Sequence, residues 1–314
     1  MKLSSLIPVS TKINFMLFRK LAGMVSLALC IGSLSLFALK GLNYGIDFEG
    51  GILLEIRTPQ AANIADLRRS INSLDLGQVE MQEFGRDTDV LIRIERQEGD
   101  ATAQNAAVEK VKKILGSTIQ LRRTEFVGPK VSAELVDAGV TAVLLALGAM
   151  LIYIWFRFEW QFGVGAVIAL GHDVIMTIGI FALLGLEFNL STVAAILTIA
   201  GYSINDTVVV YDRVRENLRK YKVLPLQEVI NLSLNNTLSR TLLTSITTLI
   251  ALLILFFFGG EVIKGFSFGM IWGVLVGTYS SIFIATPLLM YMNLRRSIFN
   301  DEDENGESSV QYSP

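Results

Sequence analysis

One aspartate and one arginine lie where the sequence predicts membrane-spanning helices. Asp206 occurs in "GYSINDTVVVYDRVREN" (201–217), ahead of the charged residues that end this apolar run. It precedes Asp212 by six residues, which is about 9 Å of helix. Arg240 enters the next apolar segment at a comparable depth, in "SRTLLTSITT". A carboxylate and a guanidinium at matched depth on consecutive spans can form an ion pair.

Such a pair has the chemistry of a proton carrier. Burial raises the pKa of a carboxylic acid, and a cation within about 4–6 Å lowers it. Movement of Arg240 relative to Asp206 would switch the acid between its protonated and charged forms. Hydroxyl side chains that could hold a water chain lie nearby in the sequence: Tyr202, Ser203, Thr241, Thr244, Ser245, Thr247 and Thr248. The alternative is a static salt bridge at a helix end, with Arg240 extended towards the lipid headgroups.

A second acid, Asp173, lies near the middle of another apolar segment, beside the only histidine, His172. An ionised group at that depth costs about 2.5–3.5 kcal/mol, so the carboxylate should face the bundle interior or water. Two interpretations stay open for Asp173 and His172. They form a further proton relay, or they form a structural pair whose polar atoms are satisfied by neighbouring groups.

The last apolar segment carries a small residue at every fourth position: Gly265, Gly269, Gly273, Gly277, Ser281 and Ala285. A stripe of this kind lets another helix approach backbone to backbone. The sequence leaves open whether the stripe serves ordinary packing within the bundle or a sliding or heterodimer interface.

These residues must be positioned by long apolar helices. The chain has 314 residues, 52% of them hydrophobic, and a mean hydropathy of +0.51, which is typical of a membrane protein. A spanning helix needs about 20 apolar residues. The predicted spans are 20–40, 138–156, 162–184, 188–211, 240–258 and 265–293. The first is longer than the roughly 7–15 apolar residues of a signal peptide, so we interpret it as a retained span.

The distribution of lysine and arginine predicts the orientation of these spans. Basic residues precede the first span, follow the fourth and sixth, and are scarce in the alternate short loops. The N-terminus (1–19) and the acidic tail (294–314), expected to be disordered, should therefore both be cytoplasmic. The stretch "LPLQEVINLSLNNTLS" (224–239) is expected to form an amphipathic helix along the membrane before the fifth span.

Residues 41–136 form a polar insert that is long enough to be a folded domain. Alternating and helical apolar patterns in it follow the order β-α-β-β-α-β, the ferredoxin-like unit. The predicted fold is therefore an α-helical polytopic membrane protein. It has six transmembrane helices and one α+β ferredoxin-like extracytoplasmic domain, which is inserted between the first and second helices. Residues 137–293 contain the second to the sixth helix.

Several classes of function are disfavoured by composition. The chain lacks a basic block of the kind that binds nucleic acid. Its single cysteine, Cys30, cannot form an intrachain disulfide, and one cysteine with one histidine makes a metal cluster improbable. We find no nucleotide-binding loop in the sequence, so no cofactor is expected. Energy would come from an ion gradient, with protons as the coupling ion, or from the ATPase of a partner.

Five motifs occur together and in an order that resembles the SecD/SecF family of the bacterial Sec protein translocase, on its SecF side. They are "GLNYGIDFEGG" (41–51), "HD" (172–173), "GYSINDTVVVYDRVREN" (201–217), "TLSRTLLTSITT" (237–248) and "GFSFGMIWGVLVGTYSS" (265–281). The resemblance covers about residues 10–293.

The resemblance implies a bacterial inner-membrane protein related to resistance-nodulation-division transporters. It implies a heterodimer with SecD that works beside the SecYEG channel, with YajC as a further partner, on unfolded exported proteins. The proton-motive force would drive this work, by proton transfer at the membrane Asp and Arg residues coupled to movement of the periplasmic domain. Asp206 would be the essential membrane acid and Arg240 its partner.

Three other functions compete with the one that the resemblance implies. A half-transporter for small hydrophobic molecules would share the membrane core, and a passive scaffold would only stabilise SecD. An intramembrane aspartyl protease would use Asp173 and Asp206, but the GxGD signature of that class is missing, because His172 and Asn205 precede the two acids.

Overall fold

The computed structural model describes residues 11–99, 101–116, 118–260, 263–292 and 294. The described helices, in chain order, are α1 (Arg19–Lys40), α2 (Ile46–Glu49), α3 (Ile64–Asn72), α4 (Ala101–Leu115), α5 (Pro129–Arg157), α6 (Trp160–Leu184), α7 (Leu190–Lys220), α8 (Leu226–Phe258), α9 (Lys264–Ser280) and α10 (Thr286–Leu288). The strands are β1 (Asn43–Tyr44), β2 (Gly51–Arg57), β3 (Val79–Phe84), β4 (Arg86–Ile94), β5 (Gln120–Val127) and β6 (Glu187–Phe188).

Six helices in the described part of the chain are long and apolar enough to cross a membrane: α1, α5, α6, α7, α8, and α9 with the short turns that follow it. Their number agrees with the six predicted spans. About half of the most apolar stretch of α6, α7 and α9 is buried inside the protein, whereas that of α5 is wholly uncovered. The polar chemistry of the bundle is therefore expected where α6, α7 and α9 meet.

From β2 to β5, the insert between α1 and α5 has the element order β-α-β-β-α-β, the order that the sequence pattern predicts. Its four strands pair antiparallel in the order β3-β4-β2-β5. Along β2, Ile52, Leu54 and Ile56 are fully buried. Because successive strand residues face opposite sides, these three place the core on one sheet face. Helices α3 and α4 contribute Ile71, Ala107, Val108 and Val111 to the same core.

Two glycines set the start of β2. Gly50 and Gly51 have φ angles of +75° and +117°, which side chains rarely allow. A Cβ on Gly51 would also lie 2.7 Å from the carbonyl oxygen of Ile94 on the neighbouring strand. A larger residue at position 51 would therefore displace β2 from β4.

A small element that the sequence reasoning did not predict joins the insert to the bundle. Strand β1, directly after α1, pairs in parallel with β6, in the link between α6 and α7. The helical turn α2 follows β1 and leads into Gly50 and β2. The end of the first span is thereby attached to the α6–α7 link.

Several span boundaries differ from the prediction. Helices α5 and α7 extend beyond the predicted 138–156 and 188–211, and α8 extends beyond the predicted 240–258. A separate amphipathic helix over 224–239 is wrong, since α8 is continuous from Leu226 to Phe258. Between those two residues the sequence has no glycine or proline to end the helix. Val229, Ile230 and Leu234 are buried in the protein core instead of facing lipid.

The sixth span is also less regular than its predicted range of 265–293. Helix α9 passes into a π-helical turn, Ser281–Ala285, followed by α10 and a 3₁₀ turn, Leu289–Tyr291. Residues 1–10 of the predicted N-terminal segment lie outside the described residues. All of the predicted tail except Leu294 does so as well.

The chain ahead of α1 is fixed to the first turns of α8. Asn235 accepts hydrogen bonds from the Thr11 hydroxyl at 2.6 Å and the Ile13 amide at 2.9 Å. Its own side-chain amide donates to the Ile13 carbonyl. Asn231 accepts from the Met16 amide at 3.1 Å. Two asparagine side chains thus hold residues 11–16 in place.

Candidate functional site

Asp173 is fully buried where three helices meet. Its Oδ2 accepts hydrogen bonds from the hydroxyls of Ser203 on α7, at 2.5 Å, and Ser280 on α9, at 2.8 Å. Its Oδ1 lies 2.9 Å from Nδ1 of His172, the neighbouring residue on α6. Both carboxylate oxygens therefore have partners, and one side chain ties α6, α7 and α9 together.

His172 completes this cluster from the α6 side. Its side chain is buried, and its Nε2 makes no hydrogen bond to any residue that the structure describes. The ring packs against Tyr279, with centroids 6.1 Å apart. The Tyr279 hydroxyl in turn donates to the Ala22 carbonyl and contacts the Ser26 hydroxyl on α1. The two polar side chains are thus built into the packing of the bundle.

Asp206 has a different environment, although it lies less than one helical turn beyond Ser203 on α7. The residue is only 4% exposed. Its Oδ1 accepts one hydrogen bond, from the Thr241 hydroxyl of α8 at 3.1 Å. Its Oδ2 is buried and has no hydrogen-bond partner among the described residues. A buried carboxylate oxygen without a partner is costly, and it can be satisfied by a proton, a water molecule or a cation.

Arg240, the expected partner of Asp206, is exposed at the edge of the bundle. Among the ion pairs of the described residues, none joins Asp206 to Arg240 within 4.0 Å. In this structure the next residue, Thr241, makes the direct contact. The predicted Asp206–Arg240 ion pair is therefore absent from this conformation.

The hydroxyls around the two acids divide into two groups. Tyr202 donates to Ser245 at 3.2 Å, and Ser245 contacts Thr278 at 2.7 Å, which links α7, α8 and α9. Thr244 and Thr247 instead donate to carbonyls of their own helix. Sequence reasoning did not single out Thr278 or Ser280. Their signal was available, since both are polar residues in the apolar segment "GVLVGTYSS".

Three glycines of the small-residue stripe face α7 of the same chain. A Cβ on Gly273 would lie 2.2 Å from Ile199, and one on Gly277 would lie 3.1 Å from the Cβ of Ser203. A Cβ on Gly269 would lie 3.4 Å from Ala195, whereas a Cβ on Gly265 would meet no atom of another described element within 4 Å. Three of the four glycines of the stripe therefore serve packing within the bundle, and they bring α9 close enough for Ser280 to reach Asp173.

The described residues contain no group of three or more His, Cys, Asp or Glu side chains that could hold a metal ion. The arrangement instead offers two buried carboxylates among hydroxyls in the centre of six long apolar helices. Such an interior is typical of polytopic membrane proteins that move ions or couple to ion movement.

Two family models match the chain. Residues 107–295 match the C-terminal model of the protein export membrane protein SecD/SecF, and residues 35–62 match the SecD/SecF GG motif. The second match contains Gly50 and Gly51, whose backbone angles require glycine. The chain belongs to the SecD/SecF family of protein-export membrane proteins.

Individual relatives agree with this assignment. The chain is 46% identical over 288 residues to the protein translocase subunit SecF of Rickettsia bellii, covering 90% of this chain and 94% of that one. It is 45% identical over 300 residues to SecF of Cereibacter sphaeroides, covering 93% of each. These proteins are named as translocase subunits, and a role in protein export follows for the family member described here.

Solved structures share the fold. SecDF of Thermus thermophilus, described as a translocon-associated membrane protein, matches with a TM-score of 0.83 and 36% identity, over 92% of this chain. A SecDF in a super-membrane-facing form matches with a TM-score of 0.65 and 34% identity, over 93% of this chain. In both cases the match covers 40% of the longer SecDF chain.

Proposed function

We propose that this chain is a SecF-like membrane subunit that works with SecD and uses the proton-motive force to assist protein export through the SecYEG channel. The observation that carries the proposal is the buried Oδ2 of Asp206, which has no hydrogen-bond partner in the part of the chain that the structure describes. An acid in that state can accept a proton and release it again. The family of the chain supports the role in protein export, and the use of this acid for proton transfer is the step that we propose.

Proton transfer at Asp206 supplies the energy in this proposal. A proton that crosses 100 mV releases about 2.3 kcal/mol, which is enough to bias a conformational equilibrium of a few kcal/mol. The charged carboxylate attracts Arg240 and holds it close. Protonation removes the attraction, so Arg240 moves away and the spans rearrange. Loss of the proton on the cytoplasmic side restores the first state.

Asp173 and His172 have a supporting part in this proposal. The fixed position of Asp173 between Ser203 and Ser280 keeps α7 and α9 in register next to Asp206. The Nε2 of His172 is buried and has no hydrogen-bond partner among the residues described. A second relay through His172 therefore remains part of the proposal, and structural support is its alternative.

The proposed setting is the bacterial inner membrane, with both chain termini in the cytoplasm. The sheet domain within residues 41–136 would then be a ferredoxin-like domain on the outer side, where exported chains emerge. Its element order and antiparallel sheet support the ferredoxin-like fold of this domain. The proposed partners are SecD, SecYEG, YajC, the unfolded exported proteins and the lipid bilayer.

Asp206→Asn tests the proposal directly. We expect it to abolish proton-gradient-dependent export in a strain that lacks the native subunit, while the variant still copurifies with SecD. Asp212→Asn is the matched control, because Asp212 is a partly exposed acid on the same helix, paired with Arg157 at 2.6 Å. Export should be measured with and without an ionophore that collapses the gradient.

Two results would contradict the proposal. The first is intact gradient-dependent export by Asp206→Asn, which would exclude the proton relay. If that variant also still bound SecD, a passive scaffold would be favoured. Loss of efflux of a small hydrophobic compound on deletion, with preprotein export unchanged, would favour the half-transporter.

A further inference from the structure

The short parallel pair β1–β6 is the centre of a junction between the sheet domain and the membrane helices. Asn43 pairs with Glu187 and Tyr44 with Phe188. The Asn43 side chain donates to the Gly185 carbonyl at 3.1 Å, and the Gly45 amide donates to the Phe188 carbonyl at 2.8 Å. The chain after α1 is therefore hydrogen-bonded along the whole α6–α7 link.

Arg93 attaches the four-stranded sheet to this junction. It belongs to β4, and its side chain is only 12% exposed. Its Nη1 donates to the Tyr44 carbonyl at 2.6 Å and to the Asn43 side chain at 3.1 Å. Its Nη2 lies 3.6 Å from a Glu187 carboxylate oxygen. One guanidinium thus contacts both β1 and β6 from the domain side.

Asp47 contacts the start of α7, the helix that carries Asp206. Its Oδ2 accepts a hydrogen bond of 3.0 Å from the amide of Leu190, the first residue of α7. A carboxylate at this position also complements the positive end of the helix dipole. Asp206 lies on the same helix sixteen residues later, about 24 Å along its axis. Helix α7 therefore holds a domain contact at one end and the proposed proton acceptor near its middle.

The domain has room to pivot about this junction. A cavity of about 580 Å³ lies beside it, between the sheet and the ends of the membrane helices. Leu53, Leu91 and Arg123 line it from the domain, and Phe256 and Phe268 line it from the bundle. The domain is thus held by hydrogen bonds on one side and separated from the bundle by open space on the other, which is the geometry of a hinge.

We propose that Asn43, Asp47, Arg93 and Glu187 form a junction latch that couples α7 to the sheet domain, so that displacement of α7 by proton exchange at Asp206 rotates the domain about the latch. The inference rests on the proposed function, since it gives the route by which events at Asp206 reach the domain. The latch stays closed during this motion, because an opened latch would leave the domain unable to follow α7. Helix α7 then links Asp206 to the sheet domain as one rigid element, and a change at either site can shift the position of that helix.

Distances within the full-length protein in lipid nanodiscs test the latch. Spin labels are placed at Asn72→Cys, exposed on α3, and Leu183→Cys, exposed near the end of α6, after Cys30→Ser removes the native thiol. The intact latch should give one narrow distance distribution. Arg93→Gln should broaden it, whereas Arg86→Gln, an exposed arginine on the same strand, should leave it unchanged.

The coupling is tested by combining these changes with Asp206→Asn, which mimics the protonated acid. Asp206→Asn should shift the mean distance when the latch is intact and leave it unshifted in the Arg93→Gln background. A narrow distribution in Arg93→Gln would overturn the latch, and a shift that survives Arg93→Gln would overturn the coupling. The latch result does not depend on export, so failure of the proposed proton-driven function, seen as intact export by Asp206→Asn, is recorded separately.

Export by a covalently closed latch provides the second test. Asn43 and Glu187 are paired across β1–β6, and Cα atoms of a disulfide usually lie about 4.4–6.8 Å apart. In the Cys30→Ser background with Arg93 intact, an Asn43→Cys/Glu187→Cys disulfide, which holds β1 to β6, should support at least as much export when oxidised as when reduced. Asp47→Asn should lower export while Glu49→Gln, an exposed acid on the same turn, does not. Block of export by the disulfide would show that the latch must open, which contradicts the proposal.

Discussion

The two buried acids of the bundle differ in how completely they are satisfied. Asp173 has a partner for each carboxylate oxygen and lies where three helices meet. Asp206 has one partner, Thr241, and one oxygen without any among the described residues. The same residue type, on adjacent helices, thus has both carboxylate oxygens bonded in one case, and in the other keeps one oxygen without a partner among the described residues, which is the atom that the proposed function uses as proton acceptor. The difference lies in hydrogen bonding and not in burial.

Removal of each acid should show this contrast most strongly. Asp173→Ala should destabilise the protein by about 3 kcal/mol, because Ser203 and His172 lose their shared buried partner. Asp206→Ala should cost only about 1 kcal/mol, because only Thr241 loses a bond. Thermal unfolding in detergent gives both values. Equal losses of stability would mean that the two sites do not differ as described.

Packing of α9 against α7 is required for the Asp173 cluster and can be broken from a distance. Gly273→Ala should destabilise the bundle by about 1–3 kcal/mol, because the new methyl group overlaps Ile199. Gly265→Ala is the control, since no atom lies near that position. Ile199→Ala added to Gly273→Ala should recover part of the thermal midpoint. No recovery would place the clash elsewhere.

The single hydrogen bond at Asp206 gives a smaller effect. Thr241→Val should lower stability by about 1 kcal/mol and reduce gradient-dependent export, since the carboxylate loses its only described donor. Thr244→Val is the matched control, because Thr244 is exposed and donates within its own helix. Export that responds equally to both substitutions would argue against a special role for Thr241.

A third acid, outside the membrane, sharpens the comparison with the smallest effect. Asp89 on β4 is paired with Arg57 through two hydrogen bonds of 2.5 and 2.6 Å. The Arg57 hydrogen bond lowers the pKa of Asp89. A lowered pKa stabilises the folded domain above the unfolded value of about 3.9, and this contribution is lost as the pH falls through the folded value.

Hydrogen exchange of the β2 amides, followed from about pH 5 to about pH 3, checks this sign. As the pH is lowered, the protection of these amides should decrease more steeply in the native chain than in Asp89→Asn. Asp87→Asn, an exposed acid two residues away, should behave like the native chain. Protection that rises on acidification would contradict the assignment.

Much of the fold could be predicted from local patterns. The six spans follow from apolar length, and the order of the sheet domain follows from alternation along β2, β3 and β4. The ends of α7 and α8 could not be predicted, because the charged and amphipathic residues beyond the bilayer continue the helices by packing against each other. An example is the hydrogen bond of 2.9 Å between Asn217 and Ser233.

The candidate site was predictable in its residues but not in its contacts. Depth along a span brings Asp206 and the 240–241 region together, yet depth cannot distinguish Arg240 from Thr241 as the contacting residue. That choice depends on the rotation of α8, which is set by tertiary packing. Ser203 lies near Asp206 in the sequence and was expected among its hydroxyls. In the structure it packs against Gly277 of α9 and donates its hydrogen bond to Asp173 instead.

The attachment of residues 11–16 to α8 means that the N-terminal segment and the start of α8 lie on the same side of the membrane. Asn231 and Asn235 bind the chain ahead of α1, so that chain and the start of α8 must lie on the same face of the bilayer. Val223, just before α8, is 94% exposed. A charged thiol reagent that cannot cross the membrane, applied to Val223→Cys in intact cells and in inverted vesicles, would thus report the side of both. Reaction only in inverted vesicles would assign the N-terminal segment and the start of α8 together to the cytoplasm.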